Sequence, residues 1–168
     1  VLVQTNFGGS LMINGAPVGR ELKKSPFSSS IPYDEDEGSC MTVIATDAPL
    51  SNRNLKRMAK RVDHAFGRVG AYSSNGSGDY AIIFSTSKPQ SSDKKSFTRK
   101  EIKNNSMNGL FMATVEATEE AIINSLFMAE TVSSKYGKME ELPIDETMKI
   151  LKKYRALNWN KKLYPWKK

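Results

Sequence analysis

This sequence of 168 residues has one cysteine, one histidine and no long apolar run. A single cysteine, Cys40, excludes a disulfide within the chain, and we interpret it as a buried apolar residue rather than a nucleophile. A single histidine, His64, argues against a zinc site or a Ser-His-Asp triad within this chain, so a structural role is the better interpretation. Because no apolar stretch is long enough to cross a bilayer, no membrane association is expected.

The chain also lacks an acidic excess, since 25 Lys and Arg residues outnumber 18 Asp and Glu residues and give a net charge of +7. Part of this excess lies between Arg53 and Arg61, and part in the tail 158–168. A basic surface permits binding to nucleic acid or another anion. No aromatic residue is interleaved in the 53–61 stripe for stacking on bases, which argues against single-stranded nucleic acid. The ordinary interpretation of that stripe is a solvated helix face.

The apolar periodicity predicts a layered α/β fold. Two runs with few polar interruptions predict strands buried on both faces, and three amphipathic segments predict helices. The segment 23–38 is rich in Ser, Pro and acidic residues and is predicted to be a flexible surface linker. The predicted strands are 1–7, 11–13, 39–46 and 80–86, with an extended piece at 16–20. The predicted helices are 51–66, a long one that starts at about 108 or 114 and ends at 135, and one over about 145–154.

The most informative stretch joins the acidic sequence 34–37 to the predicted strand that begins at Ser39. A Gly-Ser bond at the start of a core strand suits a chain that cuts itself there. The cut would leave Ser39 with a free α-amino group beside its own hydroxyl, so that one residue holds both nucleophile and base. An α-amino group has a pKa of about 7.7–8, which suits a general base at neutral pH. The alternative is an ordinary Gly-Ser turn after a solvated acidic loop.

Several further motifs follow one another in an order that resembles a known family. They are Val-Leu-Val-Gln-Thr-Asn-Phe-Gly at 1–8, Gly-Ala-Pro-Val-Gly at 15–19, Gly-Ser-Cys at 38–40, Ala-Thr-Asp-Ala-Pro-Leu at 45–50, Asn-Gly-Ser-Gly-Asp-Tyr at 75–80, Leu-Phe at 110–111 and Glu-Ala-Thr-Glu-Glu-Ala-Ile-Ile-Asn-Ser-Leu at 116–126. Together they resemble the self-processing aminopeptidases of the DmpA type, also called L-aminopeptidase/D-alanyl-esterases, and their relatives the β-peptidyl aminopeptidases.

The resemblance implies an αββα sandwich of the DmpA and ornithine acetyltransferase type, incomplete in this chain. It implies a precursor that is cleaved between Gly38 and Ser39. Residues 1–38 would then be the end of an α subunit and residues 39–168 the β subunit, together part of one structural domain. The rest of the α subunit, which supplies much of the pocket, would be a missing partner segment, and activity would depend on it.

The activity that the resemblance implies is that of a serine hydrolase with an N-terminal nucleophile. Its substrates would be short peptides, amides or esters with a free amino terminus. Neither a metal nor an organic cofactor is implied, and the family suggests homo-oligomers of αβ units. A cytoplasmic location is expected unless a leader lies in the missing segment.

Three further residues are candidates for the site. Ser77 and Asp79 are two residues apart at the start of a predicted strand, so their side chains lie on one face. With the resemblance, we interpret them as a hydroxyl–carboxylate relay toward Ser39, and the alternative is a Ser/Asp turn in a glycine-rich loop. Asn6 would donate a hydrogen bond to the developing oxyanion, or would simply end a strand before Gly8.

Two other functions remain open from the sequence. One keeps the fold and changes the reaction to acyl transfer, as in the ornithine acetyltransferases, although those enzymes use Thr where this chain has Ser39. The other is a non-catalytic module that binds anions or nucleic acid through its basic helix and tail, and salt-dependent binding would support it.

Overall fold

A computed structural model describes residues 1–25, 38–88, 91–92, 95–98 and 100–157. The acidic segment 34–37, most of the predicted linker 23–38 and the basic tail 158–168 lie outside the described residues. None of the described helices has the length and apolar character that crossing a bilayer requires.

Strands and helices are interspersed along the chain, in agreement with the α/β prediction. The strands are β1 (Leu2–Asn6), β2 (Ser39–Thr46), β3 (Gly78–Ser85), β4 (Ser91–Ser92), β5 (Phe97–Thr98), β6 (Val132–Ser134) and β7 (Gly137–Met139). The α-helices are α1 (Val18–Glu21), α2 (Asn52–Ala59), α3 (Val62–Arg68), α4 (Asn108–Phe127) and α5 (Ile144–Lys153), and a 3₁₀ turn covers Asn104–Ser106.

The main sheet has three strands in the order β1-β2-β3, with β2 in the centre. β1 runs antiparallel to β2, and β3 runs parallel to it. In this register Ser39 lies opposite Asn6 on one side and opposite Gly78 on the other. The first residue of the central strand is therefore flanked by two of the motifs singled out from the sequence.

One face of this sheet packs against helices. Cys40 and Ile44 of β2 point into a core that contains Phe66 of α3 and Ile122 of α4. Thr42, between them on the same face, is fully buried. Alternation along β2 explains this pattern, because successive side chains of a strand point to opposite faces.

The opposite face of the sheet is exposed, although its side chains are largely apolar. Met41, Tyr80, Ile82 and Phe84 are among its residues, and Tyr80 and Ile82 are 63% and 54% exposed. The prediction that β2 and β3 are buried on both faces is therefore wrong within the described part of the chain, whose residues cover only one face. The apolar composition indicated that both faces are apolar, but it could not show that the described residues leave one of them uncovered.

The N-terminal segment packs against the last helix. Ile13, Ala16 and Val18 form a buried cluster with Ile150 and Leu151 of α5. A tight turn at Asn14–Gly15 closes a single bridge between Ile13 and Ala16, so the predicted strand at 11–13 is only one bridge long. The piece at 16–20, predicted to be extended, contains the start of α1.

Two predicted helices have different bounds in the structure. The helix predicted over 51–66 is two helices, because the chain turns at Lys60 and Arg61 between α2 and α3. The helix predicted to run to residue 135 ends at Phe127, and the hairpin of β6 and β7 follows it. Gly137 lies in that hairpin with φ +137°, so its left-handed backbone serves β7 rather than a helix end.

Candidate active site

Ser39 lies at the start of the central strand, on the exposed face of the sheet. Its neighbour Cys40 points the other way and is 1% exposed. The sequence prediction that these two side chains lie on opposite faces is thus confirmed. A hydroxyl in this position is open to a reacting group from the uncovered face, while the strand behind it is anchored in the core.

Gly38 is buried, and it has no room for a side chain. A Cβ atom added there would lie 2.5 Å from Phe7 Cα, 2.9 Å from the Gly8 nitrogen and 3.0 Å from the Asn6 carbonyl oxygen. All three atoms belong to the backbone and cannot rotate away. Glycine at this position is therefore a packing requirement, because it lets the bond before Ser39 lie directly against the segment that follows β1.

The Ser39 hydroxyl accepts a hydrogen bond from the backbone N–H of Gly78, at 3.2 Å between Oγ and N. This bond fixes the oxygen while leaving its own proton free to be donated to a base. A Cβ atom at Gly78 would lie 3.2 Å from Tyr80 Cε2 and 3.5 Å from Ser39 Oγ, so the aromatic ring and the hydroxyl flank the same point. The sequence reasoning did not assign Gly78 or Tyr80, although both lie within the Asn-Gly-Ser-Gly-Asp-Tyr motif.

Ser77 donates a hydrogen bond to Asp79, with 2.9 Å between Oγ and Oδ2. The predicted hydroxyl–carboxylate pair is thus present in the structure. Asp79 is in register with Cys40, so its side chain projects to the face of Cys40 and not to that of the Ser39 hydroxyl. No hydrogen bond from either member of the pair to Ser39 occurs among the described contacts, so the relay to Ser39 stays a prediction.

Asn6 is the register partner of Ser39 across the antiparallel pair. Paired residues of adjacent strands project to the same face, so the amide of Asn6 and the hydroxyl of Ser39 lie on one side of the sheet. Asn6 also lines a cavity of about 230 Å³ with Phe7, Leu11, Leu126 and other residues. Its role as an oxyanion donor is compatible with this placement and remains a prediction.

Cys40 and His64 are not part of this arrangement. Burial raises the pKa of the Cys40 thiol, the negative charge of Asp79 raises it further, and a hydrogen bond with Thr42 acts in the opposite direction. A buried thiol with a raised pKa is a poor nucleophile. His64 lies on the exposed surface of α3. Among the described residues, no three His, Cys, Asp or Glu side chains come together as a metal-ligand group.

Comparisons with known proteins agree with one another. Residues 1–140 match the model of peptidase family S58. The β-peptidyl aminopeptidase BapA of Sphingosinicella microcystinivorans is 39% identical over 172 residues, a match that covers 94% of this chain and 43% of that protein. This chain therefore spans less than half the length of that curated relative.

Two solved structures have the same fold over nearly the whole chain. A protein from Pyrococcus horikoshii OT3 matches with a TM-score of 0.76 and 39% identity, over 91% of this chain and 42% of that one. The L-aminopeptidase D-Ala-esterase/amidase from Ochrobactrum anthropi matches with a TM-score of 0.73 and 26% identity, over 89% of this chain and 41% of that one. The latter is described as a prototype for the serine aminopeptidases and a new variant among the Ntn hydrolase fold.

Proposed function

The chain belongs to peptidase family S58, and on that premise we propose that it is part of a self-processing serine aminopeptidase whose nucleophile is Ser39. The observation that carries the proposal is the position of this residue. Ser39 opens the central strand with an exposed hydroxyl, and the bond before it is held against the backbone of residues 6–8 by a glycine that admits no side chain.

Self-cleavage would begin when Ser39 Oγ attacks the carbonyl carbon of Gly38. The peptide C–N bond breaks, the nitrogen takes up a proton, and the Gly38 acyl group is left as an ester on Oγ. Water then hydrolyses the ester, which frees the Gly38 carboxylate and restores the hydroxyl. The negative charge that develops on the Gly38 oxygen needs a donor, and the amide of Asn6 in the partner strand is the candidate.

The mature site would use the new α-amino group of Ser39 as its base. Such a group has an ordinary pKa of about 7.7–8, so a large fraction is neutral at physiological pH and can accept the Oγ proton. The activated oxygen then attacks the substrate carbonyl, releases the amine or alcohol, and is deacylated by water. Ser77 and Asp79 would orient the proton on the α-amino group through their mutual hydrogen bond.

The substrates would be short peptides, amides or esters with a free amino terminus. The names of the relatives support this class, because one is a β-peptidyl aminopeptidase and another an L-aminopeptidase and D-alanyl esterase or amidase. Residues beyond this sequence would also shape the pocket. The support is that the relatives are more than twice as long as the region of them that this chain matches.

The missing α-subunit segment would cover the exposed face of the sheet, completing the second half of an αββα sandwich. The support is physical, since Met41, Ile82 and Phe84 expose apolar surface on the face of the sheet that also carries Ser39. Moving such a side chain from full exposure to full burial typically contributes about 1.5–3 kcal/mol, and covering this face would supply the part of that gain that these half-exposed residues still lack. Homo-oligomers of αβ units are part of the same proposal.

Intact-mass measurement of the purified chain tests the proposal directly. The expected result is two polypeptides, residues 1–38 and 39–168. Ser39→Ala should remain a single chain, and Ser39→Thr, which keeps a hydroxyl, should still be cut. Ser133→Ala, an exposed serine in β6, serves as the matched control and should be cut like the unmodified chain. Cleavage of Ser39→Ala at the same bond and rate would overturn the proposal.

A further inference from the structure

Five cationic side chains lie in one row on α2 and the turn after it. Their spacing of three and four residues places them on one helix face, and no Asp or Glu occurs between residues 48 and 62. Like charges at these spacings destabilise a helix. The ion pairs found among the described residues involve other cations, so no described carboxylate offsets this repulsion. The row consists of Arg53, Lys56, Arg57, Lys60 and Arg61.

Neutral groups hold Arg57 and Arg61 in place. Arg57 donates a hydrogen bond to Asn54 Oδ1 at 3.1 Å and another to Asn104 Oδ1. The guanidinium carbons of Arg57 and Arg61 lie 4.8 Å and 4.0 Å from the centre of the Phe111 ring. Because an amide and an aromatic ring carry no charge, these contacts fix the side chains without neutralising them.

The row borders a groove of about 450 Å³ that is lined by Asn52, Arg53, Lys56, Arg57 and Lys60. This volume falls within the range of roughly 300–1,000 Å³ that is usual for small-molecule sites. The lining cations have no described counter-charge, and Arg57 among them is held in place, so this surface is suited to a compact anion of high charge.

We propose that this groove binds a condensed phosphate chain, such as inorganic tripolyphosphate or the triphosphate group of a nucleotide. A guanidinium presents its donors as a planar fork that matches phosphate oxygens. Arg53 and Arg57 are four residues apart, and a rise of about 1.5 Å per residue separates them by only about 6 Å along the helix axis. A condensed phosphate carries several charges on phosphorus atoms joined by single bridging oxygens, so it is compact enough to contact several cations of this row at once.

The arrangement of Phe111 also favours phosphate over the bases of a single strand. Base recognition by such strands relies on exposed aromatic faces. Here Arg57 and Arg61 lie over the ring, so the ring supports the guanidiniums instead of offering a stacking surface. The proposal is independent of self-cleavage, because none of these residues belongs to the Ser39 site.

Isothermal titration of the chain with sodium tripolyphosphate at low ionic strength tests the proposal. Saturable binding is expected, weakened by added salt because salt screens exposed charges. The double variant Lys56→Gln/Lys60→Gln should bind at least about tenfold more weakly, which corresponds to about 1.4 kcal/mol. The charge-matched control Lys149→Gln/Lys152→Gln, on the exposed surface of α5, should bind like the unmodified chain. Circular dichroism would check that both variants are folded.

Further titrations separate the sources of the anion. ATP and tripolyphosphate should bind comparably and adenosine should not bind, if the phosphate chain is the recognised group. Arg57→Lys keeps the charge but loses the fork, so it should also weaken binding. Absence of saturable binding, or equal loss in the two double variants, would overturn the proposal. Tighter binding of a DNA duplex or of a Glu-rich peptide at equal ionic strength would also overturn it, in favour of a macromolecular partner.

Discussion

Replacing Gly38 by alanine probes the close packing that positions the Ser39 hydroxyl. The added Cβ would lie 2.5 Å from Phe7 Cα and 2.9 Å from the Gly8 nitrogen. Since these are backbone atoms, relief requires that the start of β2 move away from the end of β1. Overpacking of this kind usually costs about 1–3 kcal/mol. For a domain of this size, each kcal/mol lowers Tm by roughly 2–4 °C, so a decrease of roughly 2–12 °C is expected.

The measurement is thermal unfolding followed by circular dichroism, in the Ser39→Ala background so that the compared chains are uncut. Gly67→Ala is the matched control, because a Cβ at that position in α3 meets nothing within 4 Å. Alanine in place of a helical glycine should stabilise the chain by about 0.5–1 kcal/mol. The two glycine variants should therefore shift Tm in opposite directions.

The same substitution should also stop self-cleavage when Ser39 is retained. Moving Gly38 would change the position of its carbonyl relative to the serine hydroxyl, and small misplacements of reacting groups can slow a reaction by about 100-fold. The reasoning is refuted if Gly38→Ala has an unchanged Tm and is cut at the rate of the unmodified chain.

Three other outcomes follow from the described contacts. Cys40 should react with a thiol reagent at pH 8 at least roughly 100-fold more slowly in the folded chain than in urea, since it is buried and its pKa is raised; equal rates would contradict its burial. Ser77→Ala should slow hydrolysis of a short amide substrate by the cleaved, full-length enzyme by about 10²–10⁴-fold if the relay acts in proton transfer, and an unchanged rate would eliminate the relay. Hydrogen bonds from Tyr154 and Lys153 lower the pKa of Glu21. These bonds therefore stabilise the fold above the ordinary carboxyl pKa of about 4.3, and the stabilisation is lost as the pH falls below that value. Melting curves should show a shallower acid-side decrease in Tm for Glu21→Gln, and identical slopes would refute this assignment.

Local pattern predicted the strands and the candidate nucleophile because both depend on near neighbours. The apolar run after Ser39 identified β2, and alternation alone placed Cys40 and Ser39 on opposite faces. The likeness of several ordered motifs then identified the family. The Ser77–Asp79 hydrogen bond could also be predicted from the sequence, because residues two apart in a strand share a face.

Contacts between distant segments could not be predicted from the sequence in the same way. That Gly78 donates to Ser39, across 39 positions of the chain, depends on the register of two parallel strands. Periodicity also extended α4 too far, because Val132 and Lys135 suit a helix as well as a hairpin, and tertiary context decides between them. Likewise, Phe111 supplies the aromatic ring that the 53–61 stripe lacks in sequence.

The position of β1 and α1 has a consequence for any mature form of the protein. β1 pairs with β2 along its whole length, and Val18 is buried against α5. Cleavage after Gly38 would therefore not release the N-terminal peptide that carries β1 and α1. This peptide would stay bound to the rest of the protein through noncovalent contacts. The two polypeptides should copurify as one particle and separate only on denaturation.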